Sequence, residues 1–277
     1  MVDLKGKLVF LTGAASGIGR ALARELLKEG CRVVAFDRDE AALASLQEEA
    51  TLLGFAVDAR RTDVADREFF LSCLKEAAAA NGAPDIFINN AGIAKVGGFL
   101  ELGLDSFEQV LRVDLSSVAY GSHFALSKMR ERGGVLVNMG SMAGQLPGGF
   151  MASYCAAKFG VVGFTRALQA ELSMAHSPVR AVLVCPGFVE TPNMDQPGAP
   201  FPWFLRWLVE KPGRAAAAIV RGLKSGKAEI YPDAGGRLMR LSYRVAPGLT
   251  VRSSRLLLAK SVSQLLGRAP IQVSPKA

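Results

Sequence analysis

Metal-ligating and redox side chains are scarce: the 277 residues include two histidines and four cysteines. His123 and His176 are far apart, and Cys31, Cys73, Cys155 and Cys185 form no C-x-x-C pair, so no metal site is expected. The cysteines lie mostly in apolar runs, which predicts buried free thiols in a reducing compartment. No segment approaches the roughly 18 consecutive apolar residues of a spanning helix, and the N-terminus runs straight into a short apolar strand rather than a secretory leader. A cytoplasmic protein is expected, at most peripherally attached to membrane. A hydrophobic content of 50% with 21% charged residues excludes a disordered chain. The 29 glycines and 13 prolines show no collagen-like period.

Acidic residues are missing from one region. From Ala234 onward there are eight Lys or Arg and no Asp or Glu. Residues 201–277 carry 14 basic and 3 acidic side chains, and residues 1–200 carry 19 and 22. Such a tail fits an anionic surface or, equally, a solvated helix face. Arg237, Arg240 and Arg244 recur at helical spacing beside Leu238, Leu241 and Val245, giving one basic and one apolar stripe. Either the stripe meets a membrane interface, or its apolar side packs on the sheet or a second subunit while the arginines face water. No recognisable nucleic-acid-binding fold accompanies the charge, and no nucleic acid is expected as a partner.

What the chain does have is alternation. Strands are expected at 7–11, 32–36, 55–59, 85–89, 135–139, 180–185 and 228–231, and helices at 17–29, 40–53, 65–80, 106–130, 153–175 and 214–224. The strands are near-continuous apolar runs, as when helices cover both faces, so the fold class is α/β with a doubly wound parallel sheet. Residues 1–231 read as one Rossmann-type domain with a helical segment, placed as a lid, at about 192–212. Residues 232–277 read as a basic C-terminal extension of two helices hinged near Pro247-Gly248.

Between the first strand and helix lies Thr12-Gly13-Ala14-Ala15-Ser16-Gly17-Ile18-Gly19. Gly13 permits a tight turn, Gly17 lets the backbone approach a pyrophosphate, and Gly19 allows close helix–strand packing, with the helix N-terminus facing the phosphates. The spacing, G-x-x-x-G-x-G, only partly matches the usual dinucleotide fingerprint. The second strand ends at Asp37, whose carboxylate would accept both ribose hydroxyls and repel a 2′-phosphate, favouring NAD over NADP. Arg38 beside it offers a guanidinium to a 2′-phosphate, and Asp37 also reads as the cap of the next helix.

Tyr154 and Lys158 stand one helical turn apart on the same face. A phenol titrating at about 10 is a poor base at neutral pH, and a neighbouring ammonium lowers that value. Ser141 follows the fifth strand at its C-terminal end, where open α/β sheets bind ligands, and its hydroxyl is placed to bond a reacting oxygen.

Taken together, Thr12-Gly13-x-x-x-Gly17-x-Gly19, Asp63-Val64, Asn89-Asn90-Ala91-Gly92, Gly140-Ser141, Tyr154-x-x-x-Lys158 and Pro186-Gly187 with Thr191 resemble the short-chain dehydrogenase/reductase family over roughly residues 5–231. The resemblance implies hydride transfer between C4 of nicotinamide and a carbonyl carbon. It makes Tyr154 the acid/base, has Ser141 orient the oxygen, and lets Lys158 bind the nicotinamide ribose and lower the tyrosine pKa. It further implies that Ser16, Ile18 and the three glycines hold phosphates and that Asp63 and Val64 bind the adenine end. Asn90, Ala91 and Gly92 would form the floor beneath the cofactor, and Pro186, Gly187, Val189 and Thr191 the nicotinamide side. Asp114 stands where the family usually has Asn; it accepts from water and from Lys158, but as an anion it would oppose the tyrosinate. A homodimer or homotetramer paired through the long helices 106–130 and 153–175 is also implied.

The 192–212 segment includes Phe201, Trp203, Phe204, Leu205, Trp207 and Leu208. So aromatic a lid suits a bulky apolar alcohol or ketone of steroid, retinoid or long-chain type, and Met142, Leu146, Phe150 and Met151 are placed to extend an apolar wall. Equally, the lid aromatics would pack on their own helix or a subunit. The leading expectation is an NAD-dependent alcohol dehydrogenase or carbonyl reductase, ahead of an NADPH-dependent reductase and of a non-catalytic nucleotide-sensing scaffold.

Overall fold

The computed structural model describes residues 3–190 and 209–250. Seven strands form one parallel sheet in the order β3-β2-β1-β4-β5-β6-β7. They are β1 (Leu8–Thr12), β2 (Arg32–Asp37), β3 (Val57–Arg61), β4 (Ile86–Asn89), β5 (Gly134–Met139), β6 (Val179–Val184) and β7 (Glu229–Ile230). The helices are α1 (Gly17–Lys28), α2 (Glu40–Leu52), α3 (Arg67–Asn81), α4 (Phe99–Leu111), α5 (Ser117–Met129), α6 (Ala152–Met174), α7 (Pro212–Lys224) and α8 (Ala234–Val245). Strand order reverses between β1 and its neighbours β2 and β4, so the crevice at their C-terminal ends is the ligand position of such sheets.

Alternate residues of each strand feed two cores. Val9 and Leu11 of β1 join Leu22, Leu26, Ile88, Val182 and Ile219 under α1, α2 and α7. Leu8 and Phe10 point the other way, into Phe36, Phe70, Phe87, Phe124 and Met129 under α3 and α5. Phe10 meets Phe36 edge-on at 5.4 Å between centroids, a geometry the ring quadrupole favours. Three helix starts are set by aspartates that cap with their side chains: Asp39 accepts from Ala42 N–H, Asp66 from Phe69 N–H and Asp233 from Gly236 N–H.

The elements depart from the sequence reading in places that have local causes. The third strand begins at Val57 rather than 55, since the Gly54 turn at φ +78° leaves Phe55 packed beside the core. The long helix expected over 106–130 begins at Phe99, breaks at Gly103 (φ 71°), and passes through a π-helical turn at Arg112–Ser116 before α5. In the extension, the break after α8 falls at Ala246 (φ −142°), one residue ahead of Pro247, because the residue before a proline is pushed out of the helical region. Residues 247–250 are helical again. Most of the lid, Thr191 and the rest of the tail lie outside the described residues. All four cysteines are buried and free. Among the described residues no helix is long and apolar enough to cross a membrane, and no three His, Cys, Asp or Glu side chains cluster as metal ligands.

Candidate active site

The glycine-rich turn is sewn to the end of β4. Asn90 Nδ2 donates to the carbonyls of Thr12 (3.0 Å) and Gly13 (2.9 Å), while Thr12 Oγ1 accepts from the N–H groups of Asn90 (3.0 Å) and Ala91 (3.1 Å). Gly13 and Gly17 have φ of +63° and +51°, which side chains rarely tolerate, and a Cβ on Gly19 would run into the Gly13 carbonyl. Ser16 stands at the N-cap of α1 without a side-chain capping bond, and the first turn holds no acid. That leaves a helix end suited to an anion.

Asp37, at the end of β2, accepts from Ala15 N–H at Oδ2 (2.9 Å) and from Asp39 N–H at Oδ1 (3.1 Å), so it braces the turn. The cap of α2 is Asp39, which corrects the alternative reading of Asp37 as the helix cap. Arg38 is exposed. Asp63 is exposed at the end of β3 and accepts from Ala65 N–H, while Val64 packs into the second core.

Across the switch point, β5 is followed by Ser141, which caps the short 3-10 turn Met142–Gly144 through Ala143 N–H (3.1 Å). α6 carries Tyr154 and Lys158 toward it. Lys158 Nζ donates to the Met139 carbonyl (3.1 Å), lies 3.1 Å from Asp114 Oδ2 and sits 5.6 Å from the Tyr154 ring centroid. Asp114 arrives from the π-helical turn and also accepts from Ile93 N–H (2.7 Å). Single π turns are frequent at functional sites because they displace one side chain from helical register. A Cβ on Gly92 would lie 2.9 Å from Asp114 Oδ2 and 3.5 Å from Lys158 Nζ, so a glycine is what lets this pair sit beneath the β4 loop.

Burial sets the charges here. It pushes the Tyr154 phenol above its ordinary value, against Lys158 and a Ser141 hydrogen bond that pull it down; Asp114 pushes it further up. Burial pulls Lys158 down, but Asp114 and Tyr154 overcome it and hold the ammonium above the usual lysine range. Burial raises Asp114, opposed by Lys158 and the Ile93 amide.

The Pro186-Gly187 segment closes the site. Its Pro186 carbonyl accepts from Met142 N–H (2.8 Å), Gly187 N–H donates to Asp233 Oδ2 (2.7 Å), and Val189 pairs with Glu210. The apolar wall expected from Met142 and Leu146 is corrected: both are buried, and Met142 packs with Val162, Leu183 and Cys185. Phe150 and Met151 stay half-buried, with Phe150 at φ +63°.

Several contacts escaped the sequence reading. Asn89 Nδ2 donates to Asn138 Oδ1 (2.8 Å), and Asn138 Nδ2 donates to Thr165 Oγ1 (3.0 Å), a buried link between β4, β5 and α6. Gln145 donates to the Tyr231 hydroxyl (2.8 Å), which donates to Glu229 (2.7 Å), itself held by Arg166 (2.8 Å) and Arg240 (3.4 Å). Arg240 also lies over the Tyr231 ring at 4.2 Å. Of the arrangements expected for α8, packing of the apolar stripe on the sheet is corrected: Leu238, Leu241 and Val245 are exposed, while Arg240 turns to Glu229 and the Tyr231 ring and Arg237 and Arg244 stay exposed. Only a tertiary pairing, invisible in the helical period, turns Arg240 inward.

Comparison with known proteins agrees with this geometry. The family profile for short chain dehydrogenases matches residues 7–199. The chain is 35% identical over 191 residues to 3beta-hydroxysteroid dehydrogenase 2 of Eggerthella lenta, covering 68% of this chain and 73% of that one. It is 34% identical over 205 residues to the 15-hydroxyprostaglandin dehydrogenase [NAD(+)] of Mus musculus, covering 70% and 71%. A solved short chain dehydrogenase/reductase from Burkholderia phymatum in complex with NAD superposes with a TM-score of 0.76 at 25% identity, over 100% of both chains. With the switch-point crevice, the glycine turn and the Ser141–Tyr154–Lys158 cluster already assembled, these matches make the chain an NAD(P)-binding oxidoreductase that belongs to the short-chain dehydrogenase/reductase family.

Proposed function

We propose that the chain is an NAD-dependent dehydrogenase that moves a hydride between NAD(H) and the carbinol or carbonyl carbon of a bulky apolar alcohol or ketone. The observation that carries this is the meeting of Ser141, Tyr154 and the charged Lys158 at the C-terminal edge of β5. The residues present fit the nucleotide: an uncapped, acid-free α1 N-terminus faces the phosphate position, and the Asp37 carboxylate stands at the end of β2 for the ribose. Bound NAD supplies a hydride acceptor at C4 of its nicotinamide.

The chain's own residues do the rest. Ser141 hydrogen-bonds the substrate oxygen, and Tyr154 takes its proton during oxidation or returns it during reduction. Lys158 stabilises the phenolate by its charge and binds the nicotinamide ribose, while Asp114 keeps Lys158 protonated at a cost to the phenolate. Gly13, Ser16, Gly17, Ile18 and Gly19 take the phosphates, and Asp63 and Val64 the adenine end. Asn90, Ala91 and Gly92 form the floor, and Pro186, Gly187, Val189 and Thr191 the nicotinamide side. In this reading residues 1–231 are the catalytic domain and 232–277 its extension.

Asp37 favours NAD, because a 2′-phosphate would face an anion already fixed by two amides. Losing hydrogen bonds to a charged group costs on the order of 1.5–3 kcal/mol, so NADP should bind roughly ten- to a hundredfold more weakly. The exposed Arg38 is what would favour the NADPH alternative. The aromatic composition of 201–208 and the names of the steroid and prostaglandin dehydrogenases support a bulky apolar substrate. A panel of hydroxysteroids, retinol and medium-chain alcohols, each with NAD and NADP and followed by nicotinamide absorbance, tests the reading. No turnover across the panel, or equal use of NADP, would refute it in part or whole.

The exposed Leu238, Leu241 and Val245, on a stretch without acids, favour peripheral attachment to anionic membrane; salt-sensitive co-sedimentation with anionic vesicles, lost on truncation after Ala234, is the expected result. A homodimer or homotetramer through α4–α5 and α6 is the proposed assembly, tested by sedimentation.

A further inference from the structure

Asp233 is the one buried carboxylate besides Asp114 among the described residues, only 1% exposed, and it touches none of the groups assigned to proton transfer. Its two oxygens take two different amides. Oδ1 accepts from Gly236 N–H (2.5 Å), capping α8, and Oδ2 accepts from Gly187 N–H (2.7 Å). The packing leaves no slack: a Cβ on Gly187 would lie 2.5 Å from Asp233 Oδ1 and 2.9 Å from Gly236 N. On its other sides the same segment is held by Met142 N–H on the Pro186 carbonyl and by the Phe188–Glu210–Glu190 backbone bonds. The Met142 tie comes from the Ser141 turn, so α8, Gly187 and Ser141 are joined in sequence through two hydrogen bonds.

We propose that Asp233 is a positioning residue for the nicotinamide end of the cofactor: it locks the Gly187 amide inward and thereby sets the course of the backbone from Pro186 to Glu190. The proposal rests on the NAD reading above and deepens it, since a helix beyond the last strand becomes part of the cofactor site. Asp suits the position because it is acceptor-only with two oxygens. Asn offers one acceptor, and its NH2 group would face the second N–H.

The test compares NAD with ADP-ribose, which shares the adenosine and diphosphate but lacks nicotinamide, by calorimetric titration of the full chain. Wild type is expected to bind both. Asp233→Ala is expected to weaken NAD roughly tenfold or more, as fits a lost hydrogen bond to a charged acceptor, while ADP-ribose changes less than about twofold. Asp233→Asn should fall between the two or match the alanine variant. Should Asp233→Ala fail to fold, Gly187→Ala pushes the same contact apart while keeping the carboxylate, and the same selective loss is expected. An equal loss for both ligands would reduce Asp233 to a structural cap and overturn the proposal, as would unchanged NAD binding. If wild type bound neither ligand, the cofactor reading itself would fall, and the positioning role with it.

Discussion

The sheet half made of β1–β3 and the half made of β4–β7 treat polar groups in opposite ways. In the first, Thr12 and Thr62 are the buried polar side chains, and the proposed phosphate and ribose contacts are offered by backbone amides, an uncapped helix end and the half-buried Asp37. In the second, Asn89, Asp114, Asn138, Ser141, Lys158, Thr165 and Asp233 are all buried, and nearly all are bonded to one another or to backbone. Binding a flexible, strongly charged ligand needs shape and exposed donors. Holding a phenol, an ammonium and a carboxylate at fixed mutual distances needs burial, because their coupling is strong only where water is excluded. The first half should therefore tolerate loss of individual polar side chains, and the second should not.

The largest expected effect lies in the second half. Tyr154→Phe removes the proposed proton-transfer group and should lower turnover by about 10²–10⁴-fold while NAD affinity, which does not rest on the phenolic proton, stays within about twofold. Steady-state rates and a NAD titration on one preparation check both sides; surviving activity would refute the assigned mechanism. Next comes stability. Asn138→Ala strands Asn89 and Thr165 without their shared partner inside the sheet and should cost about 2–3 kcal/mol. In the first half, Arg20→Ala breaks the surface pair with Glu49 and should cost only about 0.2–1 kcal/mol. Denaturant unfolding of the two variants measures the contrast, and equal losses would dissolve it.

This division also decides what the sequence makes legible. The alternation, the parallel sheet, the glycine turn and Tyr154-x-x-x-Lys158 are local patterns, and each depends on residues a few positions apart. Asn90 reads as a cofactor floor, yet its side chain ties the turn to β4 across 78 residues of chain. Asn138 looks like one polar residue in a strand, and Asp233 like a simple helix cap. Their second partners come from α6 and from the loop after β6, so no spacing reveals them. The same holds for Arg240, whose inward turn depends on Glu229 and Tyr231, and for the break at Gly103, since glycine inside a helical pattern signals a kink only once its φ is known.

A smaller effect is expected at Glu229, where β7 meets α8. Burial raises this carboxyl, but the bonds from Arg166 and Tyr231 and the charges of Arg166 and Arg240 hold it below its ordinary value of 4.5. With the folded value depressed, its stabilisation is complete above the unfolded value and disappears as pH falls through the folded one. Glu229→Gln should therefore cost about 1.5 kcal/mol at neutral pH and converge with wild type in acid. Urea midpoints taken from pH 7 down to pH 3 would show it, and a gap that persisted in acid would assign the loss to packing.

The subtlest change is expected at Asp114. Its carboxylate is one of the influences that raise the Tyr154 phenol, behind burial and opposed by Lys158. Asp114→Asn keeps a side chain of the same shape and an acceptor for Ile93 N–H, so turnover should survive within a few-fold, while the negative charge is lost. Two consequences then compete. The phenolate becomes easier to form, since Lys158 is no longer offset; but Lys158 also loses the anion that overcame its burial, and its own value falls. The first governs the lower limb of the profile, where the ammonium is still protonated and donating to the Met139 carbonyl. The second acts only where lysine begins to lose its proton. The rising limb of alcohol oxidation should accordingly move to lower pH, read as kcat/KM against pH for the two proteins. A limb that moved upward would mean that Lys158 deprotonates first and that the carboxylate serves the lysine more than it hinders the tyrosine. An unmoved limb would mean that Asp114 is protonated in the working enzyme and acts through its bond to the β4 loop alone.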